Sequence, residues 1–150
     1  TNSWVFKRPM PTPRGGLMVA VVRNVIYAIG GYDNGGDPLN VVEAYYPQTN
    51  SWVRKKSLPI AVMEAAVAVV EDVIFIFGGE AFIPKITGGI SNNLFLSNLT
   101  QAYYYRTNSW VQKMPMPTAR CDTGAAVVDG IAYVVGGSPD INVNEAYYYR

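Results

Sequence analysis

The sequence contains no histidine and only one cysteine, Cys121. An internal disulfide needs two cysteines, and histidine is the side chain that most often binds zinc, copper or haem. Cys121 also lacks a histidine to activate it, which favours a small buried residue over a nucleophile. We therefore predict no catalytic residue, no metal ligand and no cofactor.

Charge is scarce as well. Only 15% of the residues are charged, and 12 basic against 11 acidic side chains leave a formal net charge of +1. Such a balance gives no bulk field that would attract nucleic acid or an anionic membrane. No apolar run approaches the roughly 20 residues of a membrane-spanning helix. Neither nucleic acid nor a membrane is expected as a partner, and the sequence does not indicate the cellular compartment of the protein.

The chain does contain one unit three times. With 150 residues and 49% hydrophobic side chains, it has enough apolar material for a globular core. Each unit has a Thr-Asn-Ser-Trp turn, a double glycine and an aromatic strand that begins with alanine. The turns are Thr1 to Trp4, Thr49 to Trp52 and Thr107 to Trp110; the glycine pairs are Gly30-Gly31, Gly78-Gly79 and Gly136-Gly137; the strands begin at Ala44, Ala102 and Ala146.

The spacing within the unit is fixed except at one place. Each tryptophan lies 27 residues before the second glycine of its pair (4 to 31, 52 to 79, 110 to 137). The distance from that glycine to the alanine varies, from 13 residues (31 to 44) to 23 (79 to 102) and 9 (137 to 146). One variable loop per repeat is typical of repeat proteins that place recognition on a single face.

Each repeat predicts four antiparallel strands. Apolar runs flank the turns at 23–24, 71–72 and 129–130, which indicates three hairpins. The aromatic run forms the third strand and the tryptophan begins the fourth, so residues 4–7 are also expected to form a short strand. The alanine-rich stretch 63–70 fits a helix by periodicity alone. Its aligned partners are β-branched and bounded by turns, so we predict a strand there too.

These features resemble the kelch repeats of β-propellers, with a double glycine, a period of about 50 residues and a tyrosine seven residues before a tryptophan (45 to 52, 103 to 110). The resemblance covers the whole chain and implies an all-β, kelch-type β-propeller with three four-stranded blades. The predicted single domain, 1–150, divides into blades at about 14–56, 62–114 and 120–150, the last with strand 1–7 from the same chain or a partner.

Three blades are fewer than a propeller needs, since closed rings have roughly four to eight. The chain is then part of a longer propeller, or a half propeller that pairs with an identical chain. Because it begins and stops in register with its own repeat, we favour a homodimer that completes a six-bladed ring.

The resemblance also implies candidate ligand-binding residues around the mouth of the central channel. Arg14 and Arg120 precede the innermost strands and are candidate anchors for an acidic ligand, although arginines there could instead brace the blades. Glu64 and Asp122 occupy the matching place two residues later, so acidic groups are expected around the same mouth, although they could instead pair with the arginines. The loops after the glycine pairs contribute Tyr32, Asp33, Glu80, Phe82 and Ser138. The apolar loop 80–96 is expected to contact a partner, to fold onto the rim or to cap the channel.

The sequence is compatible with three hypotheses about function. The leading hypothesis is a non-enzymatic module that binds a peptide or protein at the channel mouth. The second is a structural or designed half propeller that assembles with itself and has no ligand. The third is a sugar-processing enzyme without a metal, using Glu64 or Asp122 in acid–base chemistry; the copper oxidases of the family need histidine ligands, which this sequence lacks.

Overall fold

The computed structural model describes residues 2–82 and 94–150, and within these ranges the protein is all-β, with no helix. The described strands are β1 Met18–Val22, β2 Val25–Ile29, β3 Val42–Tyr46, β4 Ser51–Arg54, β5 Ala61–Met63, β6 Ala66–Val70, β7 Val73–Phe77, β8 Glu80–Phe82, β9 Leu94–Leu96, β10 Thr100–Tyr104, β11 Ser109–Lys113, β12 Gly124–Val128, β13 Ile131–Val135 and β14 Asn144–Tyr148. Over the same ranges, a helix long and apolar enough to cross a bilayer is also absent.

The strands form four antiparallel sheets. Sheet 1 has the order β1-β2-β3-β4, sheet 2 the order β6-β7-β10-β11, and sheet 3 the order β12-β13-β14. A small sheet, β5-β8-β9, joins the segment before β6 to both described ends of the longest loop. The sequence did not predict this small sheet, because its three-residue strands are too short to show an alternating pattern.

The three predicted hairpins are confirmed. β1 pairs with β2, β6 with β7 and β12 with β13, and the turns fall at 23–24, 71–72 and 129–130. Both central residues of each turn have positive φ, for example 51° and 62° at Arg23 and Asn24. Such turns match the right-handed twist of paired strands. The alanine-rich stretch forms strand β6, as predicted, and not a helix.

The sheets pack face to face, and their first strands β1, β6 and β12 lie side by side with β6 in the middle. One core lies between sheets 1 and 2 and includes Tyr27, Ile29, Ile74 and Tyr103. A second core lies between sheets 2 and 3 and includes Phe75 and Phe77. The small side chains of β6 let the neighbouring strands come close, which increases the dispersion contacts of both cores.

The glycine pairs lie where adjacent sheets touch. The amide of Gly31 donates to the carbonyl of Val62 at 3.0 Å, and the amide of Gly79 donates to that of Arg120 at 2.8 Å. At Gly78, which has a φ of 66°, an added Cβ would lie 2.5 Å from the Arg120 carbonyl oxygen. Only glycine allows this approach of one sheet's backbone to the next.

Two predictions of strands differ from the structure. Residues 2–10 form no strand, although residues 4–7 were expected to, and sheet 3 has three described strands instead of four. The physical reason is that an outer strand needs an edge to pair with. β4 and β11 have the edges of β3 and β10, whereas residues 2–7 pair with none of the described strands.

The two ends of the stack expose apolar side chains. At one end, sheet 1 exposes Val19 and Val21; at the other, sheet 3 exposes Val128, Val135 and Tyr148. These residues are on the face of sheet 1 opposite to the first core and on the face of sheet 3 opposite to the second.

Candidate functional site

One edge of the stack, where the inner strands β1, β6 and β12 begin, gathers the predicted loop residues. In each repeat the residue three positions before the inner strand pairs with the residue that follows the double glycine. Gly15 and Tyr32 exchange backbone hydrogen bonds of 3.1 and 2.9 Å, Cys121 and Ser138 exchange bonds of 3.3 and 2.8 Å, and Met63 faces Glu80 in the small sheet. The loops after β2, β7 and β13 therefore leave their sheets beside the starts of the inner strands.

The next residues form a row across the three sheets. The Glu64 amide donates to the Gly16 carbonyl and the Asp122 amide donates to the Glu64 carbonyl, each at 2.9 Å. All three have φ values in the left-handed region, 55°, 55° and 48°. Glycine adopts this conformation easily, but for a glutamate it costs free energy that the surrounding hydrogen bonds must offset. The row fixes Glu64 and Asp122 next to each other at this edge of the stack.

Carboxylates converge around this row. The Sγ atom of Cys121 lies 3.6 Å from Asp122 Oδ2 and 4.0 Å from Glu80 Oε1. The pKa of Glu64 is raised, first by partial burial and then by the negative charges of Asp122 and Glu80. We call Glu64, Glu80 and Asp122 the acidic cluster. Two of its members come from positions that the sequence analysis matched to each other, and the third from the loop after the second glycine pair.

Cys121 lies inside this cluster. Burial, followed by the charges of Asp122 and Glu80, raises the pKa of its thiol to about 11. The thiol is therefore protonated at neutral pH and is a poor nucleophile. Ligand atoms of Glu64, Glu80 and Cys121 lie within 4.8 Å of one another, so these groups could hold a metal ion if the thiol lost its proton. The sequence assigned no role to Cys121, although aligning it with Gly15 and Met63 would have placed it at the mouth.

The two predicted arginine anchors have their guanidinium groups buried inside the sheets. Arg14 Nη1 lies 2.7 Å from Glu43 Oε2 and donates to the Thr12 carbonyl, while Nη2 donates to the Ala28 carbonyl. The side-chain exposures of Arg14 and Glu43 are 0% and 3%. This is the bracing arrangement that the sequence analysis gave as the alternative to ligand binding.

Arg120 repeats the arrangement in sheet 3. Its Nη2 lies 3.0 Å from Glu145 Oε2 and 3.1 Å from the Val134 carbonyl oxygen, and its side chain is fully buried. Neither arginine presents its charge to solvent, so binding of an acidic ligand by these residues stays a prediction without support from their geometry.

The second repeat replaces the ion pair with neutral groups. Val62 stands where the other repeats have arginine, and Gln101 stands where they have glutamate. The Gln101 side chain accepts from the Ile60 amide at 3.1 Å and donates to the Ile60 carbonyl at 3.2 Å. A glutamate at position 101 would be buried without an arginine to pair with, which would cost free energy. The neutral Gln101 avoids this cost where Val62 replaces the arginine.

Tyr32 and Asp33 shape this edge of the stack in the first repeat. The Tyr32 ring covers Gly15 and Gly16, and a Cβ added at Gly16 would lie 2.6 Å from it. The aromatic ring thus lies at the row position where the other repeats carry acids. The Asp33 carboxylate accepts from the amides of Gly35 and Asp37 at 2.8 and 3.2 Å, which closes its own loop.

Phe82 and Ser138 mark the outer parts of the site. Phe82 is half-buried and lines a groove of about 490 Å³ together with Pro38, Leu39, Pro59 and Ile60. Most of the apolar loop predicted to contact a partner, residues 83–93, lies outside the described residues. Ser138 holds the strand edge at Cys121 through its backbone.

Comparisons with known proteins agree with this architecture. Residues 13–59 match the Kelch motif, which confirms the resemblance predicted from the glycine, tyrosine and tryptophan spacing. The fold is similar to that in the solved structure of YjhT, a kelch-type propeller, with a TM-score of 0.71 and 21% identity over 87% of this chain. The chain covers 36% of the length of YjhT. At this identity the similarity establishes the fold.

Proposed function

We propose that this chain, which carries a Kelch motif and shares the fold of a kelch-type propeller, is a non-enzymatic binding module for a basic peptide or a basic protein segment. The observation that supports this most directly is the acidic cluster of Glu64, Glu80 and Asp122 at the edge of the stack where the variable loops leave. The arginines that could have attracted an acidic ligand are neutralised inside the sheets by Glu43 and Glu145. Among the residues that the structure describes, the charge offered at the mouth is therefore negative.

We further propose that sheets 1, 2 and 3 are three propeller blades and that two copies close a six-bladed ring. The contact between blades uses the same two backbone hydrogen bonds each time. Gly31 to Val62 and Glu64 to Gly16 join the first pair; Gly79 to Arg120 and Asp122 to Glu64 join the second. A third contact of this kind would join two copies. The Gly137 amide of one copy would donate to the Arg14 carbonyl of the other, and the Gly16 amide of that other copy would donate to the Asp122 carbonyl of the first.

The exposed ends of the stack support the same ring. When the repeats are aligned, the exposed face of sheet 3 is equivalent to the face of sheet 1 that packs in the first core. The exposed face of sheet 1 is equivalent to the face of sheet 2 that packs in the same core. Two chains related by a twofold axis would cover both faces at once. The ring would double the three carboxylates of the acidic cluster and surround the mouth with negative charge.

The chemistry at the mouth suits binding better than covalent catalysis. The Cys121 thiol is held in its protonated form, because its pKa is raised to about 11. Asp122 is exposed. Binding through several carboxylates around an open mouth requires neither a nucleophile nor a dry pocket.

The proposal is tested by titrating the protein with a fluorescent lysine- and arginine-rich peptide and with an acidic peptide of equal length. The basic peptide should bind, and the variant Glu64→Gln/Glu80→Gln/Asp122→Asn should weaken it by about tenfold or more, since several carboxylates each contribute a few tenths to 1 kcal/mol. The matched control, Glu71→Gln/Asp72→Asn/Asp129→Asn, removes three carboxylates from the hairpin turns at the opposite edge of the sheets. Equal weakening by both variants, or preference for the acidic peptide, would contradict the proposal.

The raised pKa of Glu64 favours one second candidate, metal-free acid–base chemistry on a sugar, in which Glu64 would be the acid and Asp122 the base. Turnover of aryl glycosides separates the two candidates. An enzyme would lose its turnover in Glu64→Gln alone, whereas a binding module shows no turnover above that of the variant.

A further inference from the structure

Tyr104 and Tyr149 meet across the contact between sheets 2 and 3. Tyr104 ends β10 in sheet 2, and Tyr149 directly follows β14 in sheet 3. Their hydroxyl oxygens lie 3.5 Å apart, although the two residues are 45 positions apart in the chain. Both side chains are half-buried beside the second core, where the Tyr149 ring packs edge-on against Phe75 with the ring centroids 5.0 Å apart. The fold thus holds two phenol groups from different sheets in contact.

The two tyrosines at the equivalent positions between sheets 1 and 2 are Tyr46 and Tyr105, and each of them binds a cation. The Lys55 ammonium donates to the Tyr46 hydroxyl at 2.8 Å. The Arg23 guanidinium donates to the Tyr105 hydroxyl and also forms an ion pair with Asp72. Each phenol oxygen in this contact therefore has a positively charged donor of its own.

Two changes between the repeats explain why the second contact differs. Glu71 stands where the first repeat has Arg23, and an ionised carboxylate has no hydrogen to donate to Tyr149. Gly130 stands where the second repeat has Asp72, so its side chain cannot complete an ion pair like the one that bridges sheets 1 and 2. Because the arginine is replaced, the Tyr149 hydroxyl is free to contact the tyrosine of sheet 2.

The surroundings of the pair favour its oxidation. Both tyrosines line a pocket of about 330 Å³ beside the hairpin turn of sheet 2, whereas the matching pocket of the first repeat measures about 120 Å³. A hydrogen bond from the Lys113 ammonium lowers the pKa of the Tyr104 hydroxyl. The contact with Tyr104, followed by burial, raises the pKa of Tyr149 to about 12. A phenol that loses its proton more easily also loses an electron more easily, so Tyr104 is oxidised first.

We propose that Tyr104 and Tyr149 are a site of oxidative cross-linking, at which a peroxidase with hydrogen peroxide joins sheets 2 and 3 through a dityrosine. Each phenol gives up one electron and one proton and becomes a phenoxyl radical. The two radicals couple through the ring carbons next to their oxygens, and the hydrogens on those carbons move to the oxygens and restore both phenols. The two electrons and two protons that are released reduce one hydrogen peroxide to two water molecules. In the product the two hydroxyls flank the new bond, so hydroxyls that already touch need little rearrangement.

Treatment of the full chain with a haem peroxidase and hydrogen peroxide tests the site. Dityrosine fluorescence measures the yield, and mass spectrometry of the digested protein identifies the linked peptides in the species that runs as one chain on a denaturing gel. The chain has 11 tyrosines, so oxidation without a preferred site would give many different pairs. The link between Tyr104 and Tyr149 should instead dominate. It should be lost in Tyr149→Phe and should form normally in Tyr105→Phe, which removes the equivalent tyrosine of the other contact.

A variant that keeps both tyrosines tests why this pair reacts. Glu71→Arg copies Arg23 into the second contact, at a turn position whose φ of 49° is close to the 51° of Arg23. It should suppress the link between positions 104 and 149, because the arginine binds the Tyr149 hydroxyl. Asp129→Arg adds the same charge at the matching turn of the third repeat and should keep the link. Equal yields of the link in the two variants, or the same mixture of pairs from the folded chain and from the chain unfolded in urea, would overturn the proposal.

The cross-link should also stabilise the contact between sheets 2 and 3. It joins residues 45 positions apart and so restricts the unfolded chain, as a disulfide over the same span would. The linked protein should melt at least about 5 °C higher than Tyr149→Phe treated with the same oxidant. A linked form that melts no higher would show that the dityrosine does not hold the two sheets together. Both measurements are made within one chain, so their outcome does not depend on the basic ligand or on the two-chain ring.

Discussion

Arg14 and Glu43 form an ion pair buried inside sheet 1, with Nη1 and Oε2 2.7 Å apart and almost no exposure of either side chain. The pair connects the segment before the inner strand to the third strand. Thr12 adds a hydrogen bond from its hydroxyl to the other carboxylate oxygen at 2.7 Å. In the second repeat, Val62 and Gln101 replace this pair with neutral groups in the same places.

This comparison predicts the cost of breaking the pair. Arg14→Val should lower the free energy of unfolding by about 3–5 kcal/mol, because it leaves the Glu43 carboxylate buried without a cation. The double variant Arg14→Val/Glu43→Gln copies the second repeat and should recover most of the loss. Urea unfolding of the single and double variants measures both. A double variant no more stable than Arg14→Val would show that the carboxylate is not the cause, and no variant of the set should change binding of the basic peptide per folded molecule.

Asn108 fixes the outer strand of sheet 2 and gives a second prediction. Its Oδ1 atom accepts hydrogen bonds from the Tyr103 hydroxyl at 2.8 Å and from the Lys56 amide at 2.9 Å. Asn108→Ala removes the acceptor of the buried Tyr103 hydroxyl and of the Lys56 amide, and it places alanine at a φ of 49°. The expected loss is about 2–4 kcal/mol from the unpaired hydroxyl and the left-handed backbone. Asn108→Asp keeps an acceptor oxygen and serves as the control in thermal or urea unfolding. Equal losses in the two variants would argue against a role for these hydrogen bonds.

Glu64 gives a pH prediction with a definite sign. Its pKa in the folded protein is raised above the ordinary value of 4.5, so the fold favours the protonated form. The associated stability is fully present below pH 4.5 and is lost as the pH rises through the folded pKa. Glu64→Gln should therefore melt at a higher temperature than the parent protein at neutral pH, and the difference should vanish in acid. A variant that is less stable at neutral pH would contradict the cost of burying the Glu64 charge beside Asp122 and Glu80.

Gly136 allows ring closure to be tested by one added methyl group. At Gly78 a Cβ would strike the next sheet, whereas at Gly136 the nearest atom is the Ile141 carbonyl oxygen at 3.6 Å. Gly136→Ala should therefore be tolerated by a single chain and should disrupt a ring in which a second copy packs there. Gly130→Ala is the control, since its φ is also positive, at 75°, and nothing lies within 4 Å. Sedimentation velocity should show loss of assembly in Gly136→Ala alone, and the same behaviour in both variants would count against the ring.

The repeat spacing predicted the hairpins and sheets because strands and tight turns depend on neighbouring residues. The glycine pairs and the alanines of β6 could be located in the same way, since close packing needs small side chains at fixed intervals. The direction of the Arg14 side chain could not be predicted, because its partner Glu43 lies 29 residues away, on strand β3. The distances within the acidic cluster could not be predicted either, because Glu64, Glu80 and Asp122 come from three separate segments of the chain. Residues 2–7 show the limit most clearly: their pattern is that of a strand, but a strand exists only when another edge receives it.

The mass of the protein in solution tests the central claim most directly. Light scattering over a dilution series in the micromolar range should give twice the 16.5 kDa of one chain, and deleting residues 1–7 should abolish that species together with the cooperative unfolding transition, because an obligate interface makes folding depend on assembly. A compact, stable species with the mass of a single chain at micromolar concentration would contradict the two-chain ring.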